Sequence, residues 1–203
     1  MRLQIGDILL TAGVGGANSN WRDRMITRAI ISHQKIQMRG FDPTRSHAEW
    51  ITGSSGQTYA ARWRTRPRDN GLADYIGGPI TIGRAPAMTM DLFMMAWVNA
   101  GMNNSDGDMY PLHRLLLQGV GTWVFPWITR IGTGNYMICS EVISKVLHHA
   151  HFLTGGDSFG SFKLSWKGNT PAHLEREVRY GDDWEVVFDG VLTPTLYAEM
   201  VGG

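Results

Sequence analysis

The side chain with the clearest potential for chemistry is Cys139, the only cysteine in the 203-residue chain. It lies within the segment NYMICSEVISKVLHH, residues 135–149. A helix that begins at this cysteine places unpaired N–H groups and a partial positive charge beside the sulfur, which favours the thiolate over the thiol. Apolar residues around it recur at helical spacing and predict an inward-facing stripe that includes the thiol. These residues are Ile138, Val142, Ile143, Val146 and Leu147.

An inward-facing cysteine has two interpretations. Free cysteine is among the most buried residue types, so the same position also fits an inert core thiol. A histidine placed to take the thiol proton distinguishes a nucleophile from a core residue. His47 is the candidate, because it begins a predicted strand on which it shares one face with Glu49 and Ile51.

The elements that position Cys139 and His47 follow from apolar periodicity and from turn residues. One α+β domain is predicted over residues 1–203, in which an antiparallel sheet packs against the cysteine-bearing helix. The predicted strands cover residues 3–11, the two arms of a hairpin over 46–63, residues 80–84 and residues 184–188. The predicted helices begin at Asn20, Thr89, Pro111, Cys139 and Thr193.

Composition narrows the classes of partner. With 43% hydrophobic and 18% charged residues, the chain is globular, and a formal net charge of +1 argues against nucleic acid as the main partner. A single cysteine excludes an internal disulfide.

Three histidines, His148, His149 and His151, lie close together near the predicted end of the cysteine-bearing helix, where a positive charge suits the negative end of the helix dipole. No accompanying carboxylate or cysteine pattern predicts a metal site there. No motif indicates an organic cofactor.

The sequence predicts a soluble protein, cytoplasmic or associated with a virion. The N-terminal MRLQIGDILL lacks the apolar stretch of a secretory signal, and the longest run without a charge, residues 115–129, is shorter than the ~20 residues of a membrane span. That run contains the aromatic residues Trp123, Phe125 and Trp127. Because of them, a membrane surface is retained as an alternative partner, less favoured than a peptide or amide substrate. The oligomeric state is left open.

Four short motifs resemble one protein family. GDILL at 6–10, SHAEW at 46–50, YPLHRLLL at 110–117 and YMICSEVI at 136–143 are similar to the circularly permuted NlpC-like branch of the papain superfamily, particularly its YiiX-like members. The order of the motifs is informative, because His47 precedes Cys139 as in the permuted group, whereas papain itself has cysteine before histidine. The resemblance implies a permuted papain-like fold.

The resemblance also implies roles for individual residues. Cys139 would be the nucleophile and His47 the base that takes its proton, while the backbone N–H of Cys139 would serve as an oxyanion-hole donor. In relatives a third polar residue lies about a dozen positions after the histidine, where this chain offers Tyr59 and Gln57. Glu49 is the alternative, although neighbours two apart on a strand are separated by about 6.6 Å, so a direct hydrogen bond to His47 would require a bend. The third position therefore stays open.

Glu141 projects away from Cys139 on a helix and is predicted to complement the helix N-terminus. The function implied by the resemblance is a cysteine hydrolase acting through an acyl-thioester on peptide or amide bonds, such as those of cell-wall peptides. One alternative is a lipid-directed acyltransferase or lipase that uses the same pair. The other is a non-catalytic structural or binding module that keeps the fold.

Overall fold

Strands from the N-terminal half and the C-terminal end build one antiparallel sheet. The computed structural model describes residues 1–13, 21–60, 68–102, 139–165 and 169–202. The described strands are β1 (Ile8–Thr11), β2 (His47–Ile51), β3 (Gln57–Ala60), β4 (Arg68–Gly71), β5 (Pro79–Arg84) and β6 (Glu185–Val191). The described α-helices are α1 (Trp21–Gln37), α2 (Met90–Asn99), α3 (Cys139–Leu153), α4 (Pro171–Tyr180) and α5 (Pro194–Val201). Short 3-10 helices cover Leu72–Tyr75 and Gly160–Phe162.

The strand order is β4-β3-β2-β1-β5-β6, and each neighbouring pair is antiparallel. β1 lies inside the sheet, where Ile8 pairs with Trp50 of β2 and Thr11 pairs with His47. The predicted α+β class with an antiparallel sheet is therefore confirmed. The register places His47 at the end of β2, beside the last residue of β1.

Alternation along the strands divides the buried side chains between two clusters. Ile8 and Leu10 of β1, with Ala48 and Trp50 of β2, belong to a cluster that also contains the apolar stripe of α3. Leu9 lies in the second cluster, which includes residues of the first 3-10 helix and of α5. Burial of each large aliphatic side chain contributes roughly 1.5–3 kcal/mol, so the stripe of α3 holds this helix against the sheet. Its fully buried members are Val142, Ile143, Val146 and Leu147.

The hairpin of β2 and β3 forms where the sequence predicts it. Gly56 has a φ of +83°, a conformation that glycine adopts without the steric cost of a Cβ, and its N–H donates to the carbonyl of Gly53 at 3.1 Å. β3 then returns beside β2, with Tyr59 opposite Trp50 and Thr58 opposite Ile51. This pairing brings Thr58 next to the strand that carries His47 and Glu49.

Some elements differ from the prediction. β4 and α4 were not predicted. The predicted helix at 111–119, the uncharged run at 115–129 and the proposed cap at Asn20 lie outside the described residues. Within the part of the chain that the structure describes, no helix has both the length and the hydropathy of a membrane span.

Candidate active site

His47 and Glu49 lie on one face of β2 and contact each other directly. The Nε2 atom of His47 is 2.9 Å from Oε1 of Glu49, and both side chains are buried, with 2% and 0% of their surface exposed. The expectation that a bend is needed was wrong, because the repeat of about 6.6 Å separates the backbone positions and two long side chains can lean toward each other across it. Of the three candidates for the third position, the structure brings Glu49 to the histidine.

Cys139 is the first residue of α3 and meets the same imidazole. Its side chain lies close enough to His47 to act on the pKa of the imidazole through charge and hydrogen bonding. Burial alone lowers the pKa of His47, but the charge and hydrogen bond of Cys139, with those of Glu49, raise the pKa to about 9. The histidine is therefore an imidazolium at neutral pH. The two residues that the sequence singles out for chemistry are brought together.

The contacts of the ring determine which nitrogen serves which partner. Since Nε2 faces Glu49, Nδ1 is the nitrogen left for the sulfur of Cys139. A carboxylate on one nitrogen fixes the orientation of the ring and stabilises its protonated form. The sulfur, the imidazole and the carboxylate thus form one continuous chain of contacts. This arrangement can take a proton from a thiol, hold it on the ring and return it to a leaving group.

Two hydroxyl groups also donate to Glu49. Tyr75, the last residue of the first 3-10 helix, donates from its hydroxyl to Oε1 at 2.6 Å. Thr58 of β3 donates from Oγ1 to Oε2. Tyr75 and Thr58 are 1% and 0% exposed, respectively. A buried carboxylate is costly unless it is hydrogen-bonded, so these donors make the charge of Glu49 tolerable inside the protein.

The remaining predicted site residues lie elsewhere or retain only part of their expected setting. Tyr59 packs with its ring centroid 4.8 Å from that of Trp97, and the Gln57 amide lies over Gly53 in the hairpin turn. Neither side chain is found against His47. Glu141 is fully buried in the first turn of α3, where a carboxylate complements the helix dipole. The N–H of Cys139 lies at the N-terminus of α3, and its role as an oxyanion donor stays a prediction.

The chain just before His47 is held by a carboxylate of another element. Both backbone N–H groups of Thr44 and Arg45 donate to Oε2 of Glu175, at 2.9 and 3.0 Å, and the Thr44 hydroxyl donates to Oε1 at 2.5 Å. Glu175 belongs to α4 and is 1% exposed. The carboxylate therefore fixes the entry to β2, two residues before the imidazole.

The Arg45 side chain extends the same network across the sheet. Its guanidinium donates from Nε to Thr81 at 3.1 Å and from Nη2 to Asp189 at 2.9 Å. Arg179 of α4 donates to the other oxygen of Asp189 at 2.9 Å and to Glu175 at 3.2 Å. Two arginines and two carboxylates thus join β2, β5, β6 and α4 around the segment that carries His47.

The motif GDI that opens the resemblance has a structural role. Asp7 is 1% exposed and receives two hydrogen bonds from the guanidinium of Arg84, at 2.8 and 2.7 Å. It also accepts from the N–H of Gln4 at 2.9 Å. This bidentate pair ties the start of β1 to the end of β5 and does not reach the imidazole chain.

Access to the sulfur is limited in this conformation. Cys139 and His47 are each 2% exposed, and neither lines either of two cavities that described residues form. The smaller of these, of about 270 Å³, is lined by Tyr75 on one side and by Thr11 and Arg28 on others. The larger, of about 650 Å³, lies beyond the anchoring network and includes Glu175. A substrate must therefore reach a sulfur that is buried in this structure.

The histidine cluster at the end of α3 contacts backbone. Nδ1 of His148 lies 2.7 Å from the carbonyl of Phe162, and Nδ1 of His151 lies 2.7 Å from that of Ser158. Among the described residues, no group of three or more histidine, cysteine, aspartate or glutamate side chains is placed to hold a metal ion. These histidines link α3 to the segment that follows it.

Three contributors to the site escaped the sequence analysis. Tyr75 follows an unpredicted strand in the segment LADY, and Glu175 belongs to an unpredicted helix. Thr58 lies in the predicted hairpin, and its position opposite Ile51 was the available signal, because Ile51 shares a strand face with Glu49. Tertiary contacts, rather than local patterns, bring the other two to the site.

Comparisons with known proteins add little to this geometry. No protein-family model matches the sequence, and no curated protein matches it. A solved structure with some likeness is that of the metalloprotein YiiX from Escherichia coli O157:H7, at 15% sequence identity and a TM-score of 0.45, over 98% of this chain and 94% of that one. At this TM-score the likeness does not define a shared fold, so function is inferred from the site itself.

Proposed function

We propose that this protein is a thiol hydrolase in which Cys139 is the nucleophile and His47 is the general base and acid. The observation that carries the proposal is the chain of contacts from Cys139 through His47 to Glu49, with 2.9 Å between the histidine and the carboxylate. A chain with the same composition and the same short motifs could have these three side chains far apart, so their proximity is separate support for the proposal. A nucleophile, a base and a group that orients the base are the three parts of such a site.

The proposed reaction uses these parts in sequence. His47 accepts the thiol proton, and the thiolate of Cys139 attacks the substrate carbonyl carbon. The imidazolium then protonates the leaving group as the carbonyl–nitrogen or carbonyl–oxygen bond breaks, leaving an acyl-thioester on the sulfur. Water, deprotonated by His47, attacks that thioester and releases the acid and the thiol. Glu49 keeps the ring oriented throughout. Peptide or amide bonds, such as those of cell-wall peptides, are the proposed substrates.

The test compares Cys139→Ala with Ser144→Ala, a second buried position on α3. Both variants are incubated with purified peptidoglycan sacculi, and released fragments are measured by mass spectrometry. Removal of a nucleophile is expected to lower the cleavage rate at least about 10³-fold. Ser144 has a buried hydroxyl without a partner among the described residues, so its loss should leave the rate nearly unchanged. A Cys139→Ala variant that keeps most of the activity of the parent protein would contradict the assignment.

The burial of the pair favours a second candidate, a non-catalytic module whose polar core is this same group of side chains. Cys139 and His47 are each 2% exposed, as expected for structural residues. Alkylation of the native protein with iodoacetamide separates the two candidates. Reaction at Cys139 in the folded state, followed by peptide mass mapping, supports the enzyme. Reaction only after unfolding supports the structural module.

A further inference from the structure

The cavity of about 650 Å³ lies apart from the side chains of the proposed reaction. It forms where the turn after α1 and the chain entering β2 meet α4, and neither Cys139 nor His47 lines it. Small-molecule pockets typically have volumes of ~300–1,000 Å³ and combine apolar walls with a few polar groups that orient the ligand. The chemistry of the wall therefore indicates what this cavity can hold.

The wall of this cavity has an excess of positive charge. Its charged groups are three guanidiniums and two carboxylates, those of Arg39, Arg176, Arg179, Asp42 and Glu175. Both carboxylates already have partners. Glu175 accepts from Arg179 at 3.2 Å and from the chain before β2, and Asp42 pairs at 2.6 Å with Lys35, which does not line the cavity. One positive charge in excess favours an anionic ligand.

Two arginines of the wall have N–H donors available to such a ligand. Arg39 is exposed and has no hydrogen bond or ion pair with another residue that the structure describes. Arg176 is also exposed, and its guanidinium lies 3.6 Å from the carboxylate of Glu177, beyond the distance of a hydrogen bond. Arg179, in contrast, donates to Glu175 and Asp189. Arg39 and Arg176 are therefore the cations that can bind an added anion.

Two aromatic rings supply an apolar surface in the same cavity. Phe41 and Tyr180 both line it and pack edge to face, with ring centroids 6.1 Å apart and an angle of 90° between the rings. Tyr180 is 73% exposed, so Phe41 covers only part of it. A flat aromatic group that packs against Tyr180 would remove this surface from water.

We propose that this cavity binds a small aromatic carboxylate, with its ring against Phe41 and Tyr180 and its carboxylate on Arg39 and Arg176. The planar guanidinium matches the two oxygens of a carboxylate, and a monoanion matches the single excess charge of the wall. A phosphate monoester carries more than one negative charge at neutral pH and exceeds that excess. The inference goes beyond the proposed function and does not depend on it, because Cys139 and His47 do not line the cavity.

The first measurement uses the parent protein alone. The ¹⁵N-labelled protein is titrated at neutral pH with sodium 2-naphthylacetate and, separately, with 2-naphthylacetamide, which has a similar shape without the charge. The carboxylate should bind with a Kd of about 1 mM and shift the backbone amide signals of Gly40, Phe41 and Tyr180, and the neutral amide should bind about fivefold more weakly. Equal affinities for the two probes, or no saturable shift at these three residues, would overturn the proposal.

Substitutions then test the arginines and the ring separately. Arg39→Gln and Arg176→Gln should each weaken the binding of 2-naphthylacetate about threefold and leave that of 2-naphthylacetamide unchanged. Tyr180→Ala should weaken the binding of both probes about threefold, because the lost contact is apolar. All three side chains are exposed, so these variants are expected to fold.

Arg2→Gln is the matched control, since Arg2 is an exposed arginine that lines neither cavity. It lowers the net charge by the same amount as Arg39→Gln and should bind 2-naphthylacetate as the parent protein does. If Arg39→Gln and Arg176→Gln lose no more affinity than Arg2→Gln, the assignment of the carboxylate to these arginines is wrong.

Discussion

His47 lies between two acidic side chains, and these determine the pH range over which the ring is charged. Burial lowers its pKa, but Cys139 and Glu49 together raise it from 6.5 to about 9. Because the folded pKa exceeds the unfolded one, protonation of His47 stabilises the fold fully below pH 6.5, and this stabilisation is lost as the pH rises through about 9. The ion pair between His47 and Glu49 is therefore present across the neutral pH range.

A titration of the histidine rings by NMR, with ¹³C-labelled histidine, tests this state directly. The ring of His47 should lose its proton around pH 9 in the parent protein. In Cys139→Ala the same ring should titrate at lower pH, because the charge and hydrogen bond of the sulfur are gone. An unchanged titration in Cys139→Ala, or a His47 pKa below 6.5 in the parent, would show that the sulfur does not contact the imidazole in solution.

Among individual residues, the sequence identified His47 and Cys139 but not the side chains that hold the imidazole in place. His47 and Cys139 are recognisable by residue type and by their place at the start of predicted elements. Glu49 was left among three alternatives because strand spacing describes backbone positions and says nothing of how side chains lean. Tyr75 offered no local signal, since its hydroxyl reaches Glu49 only through the packing of a 3-10 helix against the sheet.

Among the secondary-structure elements, α4 illustrates why some helices and strands were not predicted from the sequence. A threonine followed by proline begins this helix, as Thr193 and Pro194 begin α5, where the same signal was used correctly. The preceding segment, 154–170, is rich in glycine and serine and predicts irregular structure up to that point. β4, with the sequence RDNG, has little intrinsic preference for a strand and forms by pairing with β3. Tertiary pairing overrides local preference there.

The N-terminus of α4 contains an acid-sensitive contact. Nδ1 of His173 accepts hydrogen bonds from the Thr170 N–H at 3.1 Å and from the Thr170 hydroxyl at 2.8 Å, which requires an unprotonated nitrogen. Burial, with the charge of Arg176, lowers the pKa of His173 to about 4. Between pH 6.5 and 4 the unfolded chain therefore binds a proton that the folded chain does not, and stability falls as the pH falls across this window.

His173→Gln is expected to flatten that dependence. Glutamine at this position can still accept from the helix cap but does not titrate. Relative to the parent, it should retain on the order of 1–3 kcal/mol more stability at pH 4, since one pKa unit corresponds to about 1.4 kcal/mol. Urea unfolding at pH 8 and pH 4 measures the difference. If the parent protein and the variant lose the same unfolding free energy between pH 8 and pH 4, His173 does not cause the acid sensitivity.

At the scale of the whole molecule, the Asp189 network joins segments far apart in the chain. Arg45 before β2, Thr81 on β5 and Arg179 on α4 all donate to this one carboxylate on β6. Burial raises the pKa of Asp189, but the hydrogen bonds from Arg179 and Thr81 and the charges of both arginines lower it overall. The carboxylate thus stabilises the fold above the pKa of an unfolded aspartate, and the effect is lost as the pH falls through its lower folded value.

Asp189→Asn should therefore destabilise the protein at neutral pH by about 1–3 kcal/mol, less than for a fully buried pair because Asp189 is partly exposed. The buried guanidinium of Arg45 then loses its counter-charge, and the entry to the strand bearing His47 loosens. Urea unfolding at pH 7 measures the loss, with the exposed Asp182→Asn as a control expected within about 0.5 kcal/mol of the parent. The difference in unfolding free energy between Asp189→Asn and the parent protein should become smaller at low pH, because the carboxylate is then protonated in the parent. If this difference is absent at pH 7, or is the same at all pH values, the charge of Asp189 does not hold these segments together.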